Sequence, residues 1–512
     1  MMKMRKALCI ILSLIMLFLF ASCGGKTENP DDVSLEEETE ESSDVETKNT
    51  ASVKKSFVLP YSESDSLNPY KAKTQTNRII MPLLYDGLYA LDENYTPKEI
   101  IAESADIAAG SITVKLKENV YFSDSTPLRA SDVVYSFDRA KEAGAYSETL
   151  DGISSATALD SFRVKFILSR PDAFVSSVLT FPIIEYGSGD TDFPRGSGRY
   201  AFSGGKLVYN KSHISGEKPK IKTVGLYNLN DRASIVDALQ IGNVSFAYDD
   251  LSDCEVQRAV AQSFSVTLNN LVFIGINSEN RALGNKAVRQ AINLAVDKES
   301  LASHDFHGYA VRTESPFNPK WKESQKKEAV FNQSSAVELL EKNECLYASE
   351  TDKCRTDKNG NRLNFKIIVS EENEFRLEAA QSIAKYLSQV GISAEVLPLS
   401  FGKYKERIKE KNFDLYIGEV KLCENMNLLP FFSKSGKTHY GINLKGDAAK
   451  SYGELLNGKT DVTDFEKEFS ENLPFIPVCY RCGAVLVTNT LSDNIKSIST
   501  DLFYNINEWK MN

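Results

Sequence analysis

The sequence predicts an α/β protein built as two lobes, and three observations carry that reading. Residues 363–420 alternate strand and helix signals in the order β-α-β-α-β, which implies a parallel sheet. Residues 222–248 repeat the pattern in shorter form. The body, roughly Ser56 to Asn512, is also too long for one small domain and suggests two or three. Two α/β units in one chain suggest two lobes, and two lobes suggest a cleft.

Each element has a local reason. "LNFKIIVS" (363–370) is a short apolar run expected as a strand. A helix follows through Leu377, Ala380, Ile383, Ala384, Leu387 and Val390 at three- and four-residue spacing, with Gly391 at its C-cap position. "ISAEVLPL" (392–399) is the next strand, "GKYKERIKEK" (402–411) a short helix, and "FDLYIGEV" (413–420) the third strand. In the shorter unit, strand "KTVGLY" leads through Asn230 or Asp231 as cap into helix "DRASIVDALQ". Gly242 and strand "VSFAY" close it. "NKAVRQAINLAVDKESL" (285–301) is a further helix whose apolar stripe is Ala287, Val288, Ala291, Ile292, Ala295 and Val296. Its charged ends, Arg289 with Gln290 and Asp297 to Glu299, need a separate explanation.

The N-terminus gives the compartment. Lys3, Arg5 and Lys6 precede an apolar run and then the small pair Ala21-Ser22 before Cys23. This is a secretory signal, too short for a spanning helix. It resembles a bacterial lipobox, with Phe20 where leucine is usual, and implies a lipidated Cys23 after a signal peptide of residues 1–22. Residues 23–54 then read as a disordered tether, with ten acidic residues, three lysines and almost nothing apolar. The tether carries about −7 of the net charge of −10, so the acidic balance says little about partners. No basic patch argues for nucleic acid.

Several stretches along the body carry a resemblance. They are "SDSLNPY", "LLYDGLYALDENYTPKEIIAES", "ITVKLKENVYFSDSTPLRASDVVYSFDRA", "GSGRYAF" and "AVRQAINLAVDKESL". In this order they resemble the extracellular solute-binding proteins, family 5, of peptide and nickel ABC importers. The resemblance implies a two-lobed periplasmic-binding-protein-like fold (class II type) with an extra inserted subdomain. Lobe one is then expected at 55–270 plus 488–512, with the inserted subdomain at about 80–195, and lobe two at 271–487. Two crossing strands near 271–277 and 483–488 form the hinge, and the charged ends of the 285–301 helix belong to interlobe and loop contacts.

The implied function is capture of a small solute, peptide-like, between the lobes and delivery to an ABC permease and its ATPase. The protein is then a lipid-anchored monomer on the outer face of the bacterial membrane, with no cofactor and no catalytic role. Alternatives are a sensor or adhesin on the same scaffold and, further off, a secreted hydrolase. Carried over by motif, the ligand positions fall on Thr74, Gln75 and Thr76, on Tyr146, and on Tyr416, Gly418, Glu419, Lys421, Glu424 and Asn425. The last group lies past the C-terminal end of a parallel strand, where open α/β sheets place ligands. The family's aspartate for a peptide amino group is missing here, so Glu424, then Glu419, is expected to meet a ligand cation. Ser125 departs too, standing where the family has glycine.

Other motifs carry little. "SGKT" (435–438) is half a phosphate loop, but Phe431 stands where the first glycine is needed. Cys479 and Cys482 have metal or redox spacing inside a run expected as strand, where positions three apart face opposite ways. Cys345 and Cys354 flank a polar loop and leave a disulfide open. "HDFH" (304–307) holds two of the four histidines and reads as a polar turn rather than a metal site.

Overall fold

The structure is a computed structural model, and it describes residues 56–512 apart from 230, 326 and 493. Cys23 and the 24–54 segment lie outside the described residues. No helix among the described residues is long and apolar enough to cross a membrane.

The protein is α/β, with mixed rather than purely parallel sheets. The largest sheet runs in the order Phe246–Asp249, Phe475–Val487, Gln262–Ile276, Leu415–Lys421, Asn364–Ser370, Ser393–Leu399. Asn364–Ser370 is parallel to both its neighbours, as the β-α-β-α-β reading expects. The helix Glu374–Gln389 returns the chain between them. Asn373 caps it by accepting from the Arg376 N–H, and Gly391 beyond it takes φ +82°. A Cβ at Gly391 would sit 2.4 Å from the Tyr347 hydroxyl, so glycine is required twice over. The antiparallel half begins where Gln262–Ile276 pairs with Leu415–Lys421.

The shorter unit behaves differently. Thr223–Asn228 joins a four-stranded sheet with Phe57–Tyr61, Lys206–Tyr209 and Tyr200–Ser203. Phe246–Asp249 pairs instead with Phe475–Val487 in the large sheet. The expected strand-helix-strand order is present, but its two strands serve different sheets. Ser245 explains the divergence: its N–H donates to the Val58 carbonyl and its hydroxyl accepts from the Val58 N–H (3.0 Å). The chain therefore touches the smaller sheet for one residue and leaves it.

Three cores result. One gathers Phe57, Leu59, Tyr200, Phe246, Phe503 and Trp509. A second lies under an antiparallel sheet of Ala102–Ala108, Ser111–Leu116, Arg163–Leu168 and Ile153–Asp160, around Phe137 and Phe166. The third packs Phe273, Phe431, Phe465 and Phe475. Gln262–Ile276 and Phe475–Val487 are long strands paired along most of their length. They contribute Val266, Val485 and Val487 to the first core and Leu271–Ile276 with Phe475–Tyr480 to the third.

The Lys286–Ala295 helix buries the expected stripe. Its charged ends make loop contacts. Arg289 donates to the carbonyls of Leu283, Gly284, Asn472 and Leu473, and Lys298 is buried against Glu314. Ser125 sits at φ +72°, a left-handed conformation that glycine adopts freely and serine at a cost of about 1 kcal/mol.

Candidate functional site

A cleft of about 880 Å³ opens between these bodies. Its walls come from the start of the chain (Arg78, Tyr85), the 144–150 turn, the 178–182 segment, the 421–424 segment and the 499–504 loop. The 421–424 stretch enters because Leu415–Lys421 ends there. Arg78 ends the Gln75–Arg78 helix and Met81 and Pro82 begin the next, Met81–Leu84; these residues and Tyr85 all line the cleft.

Of the residues expected from the sequence, the cleft brings together Tyr146, Lys421 and Glu424. Tyr146 stacks edge to face on Tyr70 at 5.7 Å. Burial pushes its phenol up, with Arg78 pulling back and Glu424 adding to the rise, so the tyrosine sits between opposite charges. Glu424 accepts from the Thr149 hydroxyl at 3.4 Å. Cys423 beside it also lines the cleft, its thiol pushed up to about 12 by burial and then by Glu424 and Glu148.

The other expected residues lie elsewhere. Thr74 caps the Gln75–Arg78 helix and hydrogen-bonds Asp65 at 2.7 Å, so its hydroxyl is committed to the turn. Gln75 and Thr76 precede the face that reaches the cleft; Arg78 takes that place. Tyr416 is packed among Phe273, Tyr404 and Phe413. Gly418 lies against Phe273, whose Cζ would be 2.5 Å from an added Cβ. Both positions face the core because strand residues two apart share a side. Glu419 is on the opposite side but is held by Arg481 and Asn270, each at 2.8 Å. Asn425 donates to Asp172 at 2.6 Å and lines a separate small cavity.

Sequence reasoning missed Arg78, Arg199 and the Asp86–His213 pair. Arg199 is consumed by Asp501 at 2.6 Å and by the Phe503 and Tyr504 carbonyls. His213 Nε2 is 3.5 Å from Asp86, and its Nδ1 is 2.8 Å from the Ser215 hydroxyl. No local spacing marks these residues, because Arg78 and Met81 belong to two separate short helices and the segments that meet at the cleft are far apart in the chain. Glu148, a cleft residue, pairs with Lys437 of the "SGKT" turn at 2.8 Å.

The cysteines and histidines do not converge. Cys479 and Cys482 are buried and free along one strand, opposite Val272 and Thr267. Cys345 and Cys354 are free too, their thiols facing the Asn343 and Arg355 carbonyls. The hairpin between them pairs Leu346 with Thr356 and Tyr347 with Arg355, which sets the two cysteines out of register for a bond. His304 contacts Ser300 and Ser303, while His307 is 3.4 Å from Glu378. Among the described residues no group of three or more His, Cys, Asp or Glu side chains could hold a metal ion.

Comparison with known proteins matches residues 96–422 to the family model described as bacterial extracellular solute-binding proteins, family 5 Middle. The oligopeptide-binding protein AppA of Bacillus subtilis is 25% identical over 99% of this chain and 99% of its own. The glutathione-binding protein GsiB of Escherichia coli K12 is 24% identical over 68% of this chain and 70% of its own. Among solved structures, the unliganded open form of the periplasmic murein tripeptide binding protein MppA superposes with a TM-score of 0.73 at 15% identity. It covers 90% of this chain and 98% of that one. With the family model matching well over half its length, the chain belongs to the bacterial extracellular solute-binding proteins, family 5.

Proposed function

We propose that this protein is the lipid-anchored, substrate-binding component of an ABC importer, and that it closes two lobes around a small peptide-like solute. The single observation that carries this reading is the 880 Å³ cleft walled by segments far apart in the chain. Its volume suits a small ligand of several residues. The relatives named for oligopeptides and glutathione favour a peptide-like solute. Lobe one is 55–270 with 488–512, lobe two 271–487, and the two long strands are the hinge. Ligand contacts made by both lobes exist only in the closed form, so binding shifts the population toward it. The protein has no catalytic role; it acts as a monomer on the outer face of the cell membrane and hands the solute to a permease.

Recognition is assigned to three of the cleft charges that lack an ion-pair partner among the described residues, Arg78, Lys421 and Glu424; the others are Glu99 and Lys117, whose ammonium donates to the Glu99 and Ile100 carbonyls. Glu424 meets the ligand cation, and Arg78 with Lys421 meets an anionic group. Removing a desolvated charge partner costs roughly 30-fold or more in affinity. Mass spectrometry of material co-purifying with the protein identifies the ligand, and calorimetry with Glu424→Gln tests the anchor. Binding within about threefold of the parent protein rules out a cation contact at Glu424 and makes Lys421 the next group to remove.

A further inference from the structure

We propose that Asp172 and Asn425 form a proton-linked latch that holds the lobes together from a point outside the ligand cleft. The proposal rests on the lobe-closure reading above. Asn425 follows the 421–424 wall, and Asp172 lies 253 positions earlier, just after the Arg163–Leu168 strand; the Asn425 amide donates to the Asp172 carboxylate at 2.6 Å. Neither residue lines the cleft. Both line a second cavity of about 20 Å³, closed by Phe174, Phe317, Trp321 and Tyr452. Phe174 and Trp321 meet edge to face at 5.0 Å beside it, giving the contact an apolar flank.

The latch is incomplete as it stands. Asn425 is 9% exposed, and its side-chain oxygen is buried without a donor. The amide cannot turn round, because its oxygen would then face the carboxylate. An ionised carboxylate has no hydrogen to offer that oxygen, whereas a carboxylic acid has one. Protonation of Asp172 therefore supplies the missing donor, giving an acid–amide pair with a hydrogen bond in each direction.

The surroundings favour this. The charged or titratable residues on the walls of this cavity are Arg170, on Asp172's own segment, and Tyr452, on the Asp447–Leu456 helix. Arg170 pairs with Asp151 at 3.2 Å, and the Tyr452 hydroxyl is engaged by the Leu428 N–H and Asn427. The Phe174 N–H donates to the other Asp172 oxygen at 2.9 Å. Burial lifts the Asp172 carboxyl above its ordinary range, against the pull of Asn425, Phe174 and Arg170. Opening returns the group to water and to a value near about 4. The closed form thus binds the proton more tightly, and closure strengthens as pH falls from neutral toward that value.

The test reads interlobe distance by energy transfer between one fluorophore on each lobe of the unliganded full chain. The closed-to-open ratio of the parent protein is expected to rise roughly tenfold between about pH 7.5 and about pH 5. Asp172→Asn carries a permanent donor but sets it against the Phe174 N–H, so it should be less closed than the parent at its acid limit and, lacking a titratable group, hold one ratio at both pH values. Asp172→Ala should be more open at both. A pH response that persists in Asp172→Asn, or is missing from the parent, overturns the latch. A tryptic peptide mixture added to the parent separates the two ideas. If the mixture closes the lobes while the unliganded protein ignores pH, the latch alone falls; if the distance stays at one value throughout, lobe closure falls with it.

Discussion

Two carboxylates five positions apart, Glu419 and Glu424, have opposite fates. Glu419 is enclosed with Arg481, which is 5% exposed and also donates to the Asp250 carbonyl at 2.7 Å. Burial alone would raise the Glu419 carboxyl, but Arg481, Arg376 and the Asn270 amide together hold it below its ordinary value. A carboxyl depressed in the folded state stabilises that state above the unfolded value of about 4.5, and the contribution is lost as pH falls through the folded value. Glu419→Gln leaves Arg481 buried without its counter-charge, which typically costs about 3 kcal/mol. We expect urea unfolding at neutral pH to show that loss, and the acid limb of the stability curve to flatten in the variant. An unchanged midpoint would dismiss the pair as a stabilising element. Glu424→Gln, half-buried beside the cleft, should instead leave stability within about 0.5 kcal/mol and be felt in binding.

At the scale of elements, the junction of Gln262–Ile276 with Leu415–Lys421 is built on a missing side chain. Gly275 is the direct register partner of Tyr416, and a Cβ there would come within 1.9 Å of the tyrosine ring. The ring lies in the slot that glycine leaves. Gly275→Ala forces it into Phe273 or Phe413 and should destabilise by about 1–3 kcal/mol, read as a lower urea midpoint with unchanged slope. An alanine variant of full stability would mean the ring has somewhere else to go. The same junction shows what sequence could and could not supply. Asn364–Ser370, Ser393–Leu399 and the helix between them were legible, because periodicity and caps act within a few residues. The faces of Tyr416, Gly418 and Glu419 were not: alternation separates two sides without saying which is cleft, and the partner that claims Glu419 lies 62 positions away. The split of Thr223–Asn228 and Phe246–Asp249 between sheets was hidden likewise, since Val58 and Ser245 are 187 positions apart. Lys421 and Glu424 were legible because the end of a parallel strand is a position that topology itself exposes.

For the molecule as a whole, the proposed attachment and the cleft belong to separate parts of the chain. Among the described residues, the cleft walls come from between Pro69 and Tyr504. No helix among those described residues is long and apolar enough to cross a membrane, and the proposed attachment is placed on Cys23. Stable anchoring needs more than one acyl chain or a second signal. The 24–54 segment, with ten acidic residues and three lysines, offers no basic cluster to attract anionic lipid. In the proposed arrangement the lipid carries the attachment, and losing it should be close to all-or-none. Cys23→Ala is expected to move the protein from the membrane fraction to the soluble fraction, with ligand affinity unchanged within about threefold, because no cleft residue is altered. Full membrane retention of Cys23→Ala would overturn the anchor and place attachment in the body. Release accompanied by a collapse in affinity would instead tie the N-terminal segment to the cleft.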